Sequence, residues 1–307
     1  MKRLLLSAAV VMAFSAVSCG RTVRRADVSG FVPPVEALPF ESVEIVTEAP
    51  TEPPTEGNPP AVEVNPEMPD GYELGDTCVI DGFKTVLQNP ELPTGCEITS
   101  LTQTMNFYGF DIDKVTLCDT FLPTDFDGYY TMDQVYLGDP RSTNGFGCNA
   151  PVIKKAADDY FDYLGSDWYA LDLTGISLNE VFYQIEQGYP VIVWSTIGQR
   201  ETHATFQFTL GCGEDFYFNG FQHCLTVYGF DNDEGVVHVA DPMEGNVTYD
   251  MARFERIYNE MGKQAIILCG NPESAGQDYS TNREKKDWLE ENKPTDLDFL
   301  FKSKDEE

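Results

Sequence analysis

Cys96, His223 and Asp241 are the residues of this 307-residue chain whose types and settings could do chemistry together. A cysteine is a nucleophile only as its thiolate, so it needs a base to take its proton. A histidine can be that base near neutral pH. A carboxylate on its other ring nitrogen fixes the tautomer and stabilises the imidazolium. Cys96 stands in Leu92-Pro93-Thr94-Gly95-Cys96-Glu97, where a Pro/Gly turn runs into a helical pattern. Apolar residues follow at Ile98, Leu101, Met105 and Tyr108, describing one helical face, and Gly109 is a natural stop. Thr94 is a candidate cap. A thiol in the first helical turn meets unpaired N–H groups and the positive end of the helix dipole, which favour a thiolate. A packed, inert thiol is the competing reading.

The base must come from three histidines, His203, His223 and His238. His223 opens the strand-like run His223–Gly229. The turn residues Asp231-Asn232-Asp233-Glu234-Gly235 follow, and then a second run, Val236–Asp241, closed by Pro242. Two such runs joined by Asp/Asn/Gly read as a β-hairpin. Pairing Leu225 with Val239 and Val227 with Val237 puts four apolar residues on one face, and the next step sets Asp241 opposite His223. In that register the carboxylate accepts the Nδ1–H of the imidazole. A structural cross-strand ion pair is the competing reading. His238 points to the other face. His203 lies in a polar loop and could rim a cleft.

With these residues in place, the chain resembles the C39-like peptidases, papain-like cysteine peptidases similar to those that trim bacteriocin leaders. Leu92-Pro-Thr-Gly-Cys96-Glu and a helix ending in Asn106-Phe-Tyr-Gly109 match the nucleophile segment. Further matching pieces are Asn144-Gly-Phe-Gly-Cys148-Asn-Ala-Pro151, Gly188-Tyr-Pro-Val-Ile-Val-Trp194, His223–Asp231 and Val239-Ala-Asp241-Pro-Met-Glu-Gly245. The resemblance implies Cys96 as nucleophile, His223 as base and Asp241 as its orienting group. It also implies an oxyanion donor upstream, for which Gln88 is the candidate and Asn89 the alternative, beside the Cys96 backbone N–H. It implies an α+β papain-like fold, with an N-terminal helical part, led by the nucleophile helix, packed on a mostly antiparallel sheet. Val191-Ile192-Val193 reads as a buried strand. Trp194, Ser195 and Thr196 follow as groove residues, or Trp194 as core. Cys148 reads as a packed thiol.

The ends of the chain place this unit. Residues 1–19 carry Lys2 and Arg3, an apolar run from Leu4 to Val17, and Ala16-Val17-Ser18-Cys19, which resembles a lipoprotein signal with Cys19 lipidated; an ordinary cleaved signal is the alternative. Residues 20–71 form a tether. Residues 21–70 hold ten of the 19 prolines, with Thr and Glu between them. Such composition stays extended and cannot build a core. Residues 72–270 form the globular domain, and 271–307 a charged C-terminal tail. The expected location is outside the cytoplasm, anchored to the outer face of the cytoplasmic membrane, or secreted if Cys19 is not lipidated. A net charge of −31 argues against nucleic acid and against contact with anionic lipid other than through the anchor. Cys78, Cys118, Cys148, Cys212, Cys224 and Cys269 are an even set with no C-x-x-C spacing, so no zinc site is indicated. No metal cluster and no nucleotide motif appear, and no cofactor is expected.

The function expected is hydrolysis of a peptide or amide bond in a peptide or protein outside the cytoplasm, cell-wall peptide included. Acyl or peptidyl transfer on the same fold is one alternative, and a non-catalytic surface-binding module is another.

Overall fold

The computed structural model describes residues 66–292. The signal-like stretch, Cys19 and nearly all of the Pro-rich segment lie outside the described residues. A short strand, Thr77–Val79 (β1), precedes the first helix, Cys96–Phe107 (α1). Helix α2 follows at Lys114–Phe121, where Asp113 caps the start by accepting the N–H groups of Val115 and Thr116. The strands Thr124–Asp125 (β2) and Tyr136–Leu137 (β3) form a small parallel pair. The turn through Gly145 and Gly147 then enters α3, Ala150–Tyr163, with Pro151 in its first turn.

The rest of the chain is mainly strand. In order come Tyr169–Asp172 (β4), Leu178–Glu186 (α4), Val191–Thr196 (β5), Ala204–Thr209 (β6), Asp215–Asn219 (β7), Gln222–Asp231 (β8), Val236–Asp241 (β9), Gly245–Asp250 (β10), Met251–Glu260 (α5), Ala265–Cys269 (β11) and Asn282–Glu291 (α6). Seven strands make one sheet in the order β10-β9-β8-β5-β11-β4, with β1 also on β8. Every pairing in it is antiparallel. Strands β6 and β7 form a separate hairpin.

Both faces of the sheet are covered, which explains why its inner strands do not alternate apolar with polar. Ile192, Trp194, Cys224, Ile266 and Leu268 pack with α1, α2 and α3. Val191, Val193, Leu225, Val227, Val239 and Ile267 pack with α4 and α5. Helices first and strands later is thus only half of the architecture, because α4 and α5 close the second face. Trp194 is core, and its indole N–H donates to the Cys148 carbonyl at 2.8 Å.

The expected single apolar face of α1 is corrected by its surroundings: Cys96 to Met105 are all buried. The sequence tolerates this because the polar residues find partners within the fold. Thr99, Thr102 and Thr104 donate to the carbonyls four residues back, at 2.7, 2.8 and 2.8 Å. Gln103 reaches the sheet, donating to Thr226 Oγ1 at 2.8 Å and to the Ala240 carbonyl at 3.0 Å, and it accepts the Val86 N–H at 3.2 Å. Each satisfied pair avoids a penalty of about 1–3 kcal/mol for an orphaned buried group.

The segment from 271 was expected as a charged tail. It contains α6, whose Trp288 packs against Phe121 and Tyr163 at ring-centroid distances of 5.5 and 5.8 Å.

Candidate active site

The residue at the N-cap of α1 is Gly95, not Thr94, and no side chain caps the helix. The Thr94 hydroxyl instead donates to the Ser142 carbonyl at 2.8 Å, while Tyr136 Oη donates to the Thr94 carbonyl at 2.7 Å. These bonds fasten the turn before Cys96 to the loop that leads into α3. Gly145 is needed there, because a Cβ would run into Thr94 Oγ1 and Tyr136 Oη.

The hairpin of β8 and β9 forms, but in a different register. Val227 faces Val239 and Thr226 faces Ala240; a bulge between Val227 and Gly229 then shifts the ladder so that Phe230 faces Val237. Val227 was expected opposite Val237, and Asp241 directly opposite His223. The bulge itself shifts the ladder by one residue, and beyond it the register lies two positions from the expected one, so His223 and Asp241 are diagonal neighbours. A shift of two keeps both on the same face, and a diagonal remains within reach of long side chains.

The two side chains do meet. His223 Nε2 lies 2.7 Å from Asp241 Oδ1, and both residues are 1 % exposed. The nitrogen on the carboxylate is therefore Nε2, where Nδ1 was expected. Asp241 Oδ1 also accepts the Met243 N–H at 2.8 Å, and Oδ2 accepts Tyr249 Oη at 3.0 Å. Burial pushes the Asp241 carboxyl up, but the His223 hydrogen bond and charge, with the Met243 and Tyr249 donors, outweigh it and hold the group below its ordinary value.

Cys96 lines one cleft of 260 Å³ with Gln88, Glu97 and His223. Cys96 Sγ lies 3.2 Å from Glu97 Oε2 and accepts the Cys224 N–H at 3.4 Å; neither of these bonds runs to His223. The helix start was expected to favour a thiolate. Burial pushes the thiol well up instead, and the Glu97 carboxyl and Cys224 add to it.

Gln88 is buried at the cleft, while Asn89 is exposed and does not line it. The Gln88 N–H donates to the Pro242 carbonyl at 2.8 Å, next to Asp241, and Lys114 Nζ donates to the Gln88 carbonyl at 3.0 Å. Its side-chain Nε2 donates to the Pro93 carbonyl at 2.7 Å, and its Oε1 has no partner among the described residues. His238 pairs with Gly229 on the ladder, away from the cleft. His203 is exposed and stacks edge-on to Phe221, one of the cleft residues. Ser195 lies opposite His223 on β5 but is wholly buried and accepts the Gln199 side-chain N–H at 2.8 Å.

A model of the Peptidase_C39 like family matches residues 80–266, the segment that holds all of these groups. The chain belongs to that family. This C39-like chain is 30% identical over 186 residues to the uncharacterized protein YvpB of Bacillus subtilis (strain 168), a match covering 58% of this chain and 70% of YvpB. Its fold is similar to the crystal structure described as a C39-like peptidase from Bacillus anthracis, with a TM-score of 0.56 at 23% identity, over 64% of this chain and 99% of that one. The peptidase domain of Streptococcus ComA also matches, at a TM-score of 0.39 and 18% identity over 62% and 99% of the two chains.

Three kinds of residue at the C39-like site were not expected from sequence. Glu97 is a buried acid between the thiol and the Cys148 N–H, which it accepts at 3.1 Å. In sequence it is an ordinary first-turn acid, which carries no signal of burial. Tyr249 holds Asp241 from the neighbouring strand, and the alternating Val247-Thr248-Tyr249 pattern could have pointed to it. Phe146, Phe218 and Phe221 line the cleft from loops and β7, where sequence alone offers no register.

Proposed function

We propose that this domain is a cysteine-type peptidase or amidase in which Cys96 attacks the carbonyl carbon, His223 moves the proton and Asp241 orients His223. The observation that carries the reading is the buried His223–Asp241 bond of 2.7 Å, set in the cleft that Cys96 lines. With Nε2 donating to Asp241, Nδ1 is the nitrogen left to accept the Cys96 proton and return it to the leaving amine. The acyl-thioester is then hydrolysed by water, with His223 as base. As the carbonyl oxygen becomes anionic, two donors can meet it. One is the Cys96 N–H, which has no intrahelical acceptor at the first helical position. The other is the Gln88 Nε2 hydrogen not spent on Pro93. Group donors of this kind contribute about 2.7–4 kcal/mol each in related chemistry.

The cleft supports a substrate class. Phe146, Ile197, Phe218, Phe221 and Met243 form its apolar wall. A peptide with a bulky apolar side chain beside the scissile bond matches that wall better than a charged one. The signal-like N-terminus and the Pro-rich tether support a location outside the cytoplasm, held to the membrane through Cys19, with exported proteins or cell-wall peptides as substrates.

The test is direct. The full chain is incubated with a diverse peptide mixture and with cell-wall peptides, beside Cys96→Ala, and the products are read by mass spectrometry. New termini flanked by apolar residues are expected from wild type alone; identical product sets from both proteins reject the peptidase. Products carrying an added amine in place of water would reassign the chain as a transferase. Location is tested separately, by labelling of the exposed Cys212 in intact cells with a membrane-impermeant maleimide; an unlabelled Cys212 rejects the external location.

A further inference from the structure

The acid that follows Cys96 is placed to act on the thiol directly. Glu97 is 1 % exposed, which a carboxyl tolerates only with partners. Its Oε1 accepts the Cys148 N–H at 3.1 Å and its Oε2 lies 3.2 Å from Cys96 Sγ. Gly147, at φ +111°, makes room for it: a Cβ there would run into Glu97 Oε1. A left-handed glycine in the neighbouring loop thus accommodates a buried acid against the sulfur. Sγ has two hydrogen bonds, to Glu97 and from the Cys224 N–H, and none to the imidazole across the cleft.

We propose that Glu97 is a positioning residue for Cys96: in the free enzyme its carboxylate accepts the Sγ–H bond, keeps the thiol protonated and turned away from His223, and so holds the nucleophile at rest. This rests on the reading of Cys96 as the nucleophile. The step that ends the rest state is a proton transfer with no other bond made or broken. Rotation of the Cys96 side chain exchanges the Sγ–H donor bond from Glu97 Oε2 to His223 Nδ1. The proton then passes to Nδ1, leaving thiolate and imidazolium. The titratable groups that face Glu97 are Cys96 on α1, Tyr136 on β3, Cys148 before α3, and His223 and Cys224 on β8. Among these His223 alone can become a cation, so it is the group that offsets the Glu97 charge once the thiolate forms.

The measurement is alkylation of the full chain by iodoacetamide from pH 5 to 10, followed on the Cys96 peptide by mass spectrometry, with the exposed Cys212 peptide as an ordinary-thiol reference. It is made on wild type, Glu97→Gln, Glu97→Asp and His223→Ala, and needs no substrate. In Glu97→Gln the midpoint should fall by about one pH unit, so that alkylation at pH 6 speeds up about tenfold. Glu97→Asp keeps the charge and should stay near wild type; a fall as large as that of the glutamine variant would assign the effect to packing and overturn the proposal. An unchanged or raised midpoint in Glu97→Gln also overturns it, and if His223→Ala moves the midpoint in the same series the nucleophile reading survives. A midpoint unmoved by His223→Ala removes the nucleophile reading instead. Should Glu97→Gln not fold, the Raman S–H band in the wild-type minus Cys96→Ala difference decides. A band shifted down by a carboxylate acceptor at neutral pH is expected, and an unshifted or absent band overturns the proposal.

Discussion

Asp241 reaches His223 along a diagonal of the β8–β9 ladder, because the bulge after Val227 sets the paired register at Thr226–Ala240 and Val227–Val239. The aspartate is then pinned from three sides, by His223 Nε2, the Met243 N–H and Tyr249 Oη. A carboxylate so held is a fixed charge in a protected place, which is what an orienting group requires.

Asp241→Asn keeps the shape and removes the charge. Activity on any substrate found should fall by about 10²–10⁴-fold in kcat/KM, the range typical of a lost acid–base function. Stability should change with a definite sign. The folded Asp241 carboxyl sits below its unfolded value, so its contribution is present above the unfolded value near pH 4 and is lost as pH falls through the folded one. The gap in Tm between wild type and Asp241→Asn should therefore narrow as pH drops from about 5 toward 2. Scanning calorimetry across that range checks it, and a gap that widens would contradict the assignment.

Glu97 should act on stability in the opposite sense. Burial is the main cause of its raised value, outweighing the donors and His223 that pull the other way. A group raised in the folded state stabilises below its unfolded value, near pH 4.3, and loses that contribution as pH rises through the folded value. Glu97→Gln should consequently gain Tm relative to wild type as pH rises above about 4, measured by the same method.

Gly147→Ala tests the room made for that acid. The added Cβ meets Glu97 Oε1, and φ +111° is strained for any L side chain. A loss of about 1–3 kcal/mol in urea unfolding is expected. A loss as small as that of an exposed-loop substitution would show that the loop moves aside.

How much could be read beforehand depended on whether a pattern was local. The turn into a helix at Cys96 and the Asp/Asn/Gly turn between two β runs are each written within a dozen residues, and the fold brings Cys96 and His223 to one cleft with Asp241 bonded behind His223. The register failed for an instructive reason. Next to the turn the ladder lies three positions from the expected register and the one-residue bulge takes one back, so the net shift of two keeps His223 and Asp241 on one face, and alternation cannot see it. Gln88 was separated from Asn89 only by burial. Thr94, chosen as a cap from its type, is drawn off by Ser142, which is 48 positions away. Glu97 reads in sequence as an ordinary first-turn acid, and only Cys148 arriving from another loop reveals its burial.

Gln103→Ala probes how the nucleophile helix is seated. The change strips partners from Thr226, the Ala240 carbonyl and the Val86 N–H and leaves a void. A cost of about 2–4 kcal/mol in denaturant unfolding is expected, from unpaired buried groups and lost packing. Alkylation of Cys96 should become faster as α1 loosens.

Phe218→Ala should alter selection and not chemistry. It removes part of the apolar wall, so KM for peptides with a bulky apolar residue should rise with little change in kcat, while peptides with small residues are hardly affected. Competition between the two peptide types in one reaction reads this ratio directly.

The last strand of the large sheet, β11, lies not at an edge but between β5 and β4. A chain emerging from the ribosome presents its thiol early, while the Cys224 amide that contacts it comes 128 positions later. The gap in the middle of the sheet stays open until Ala265–Cys269 arrives. A nascent or truncated chain that stops short of β11 therefore carries Cys96 without the finished sheet on which His223, Cys224 and Asp241 are held.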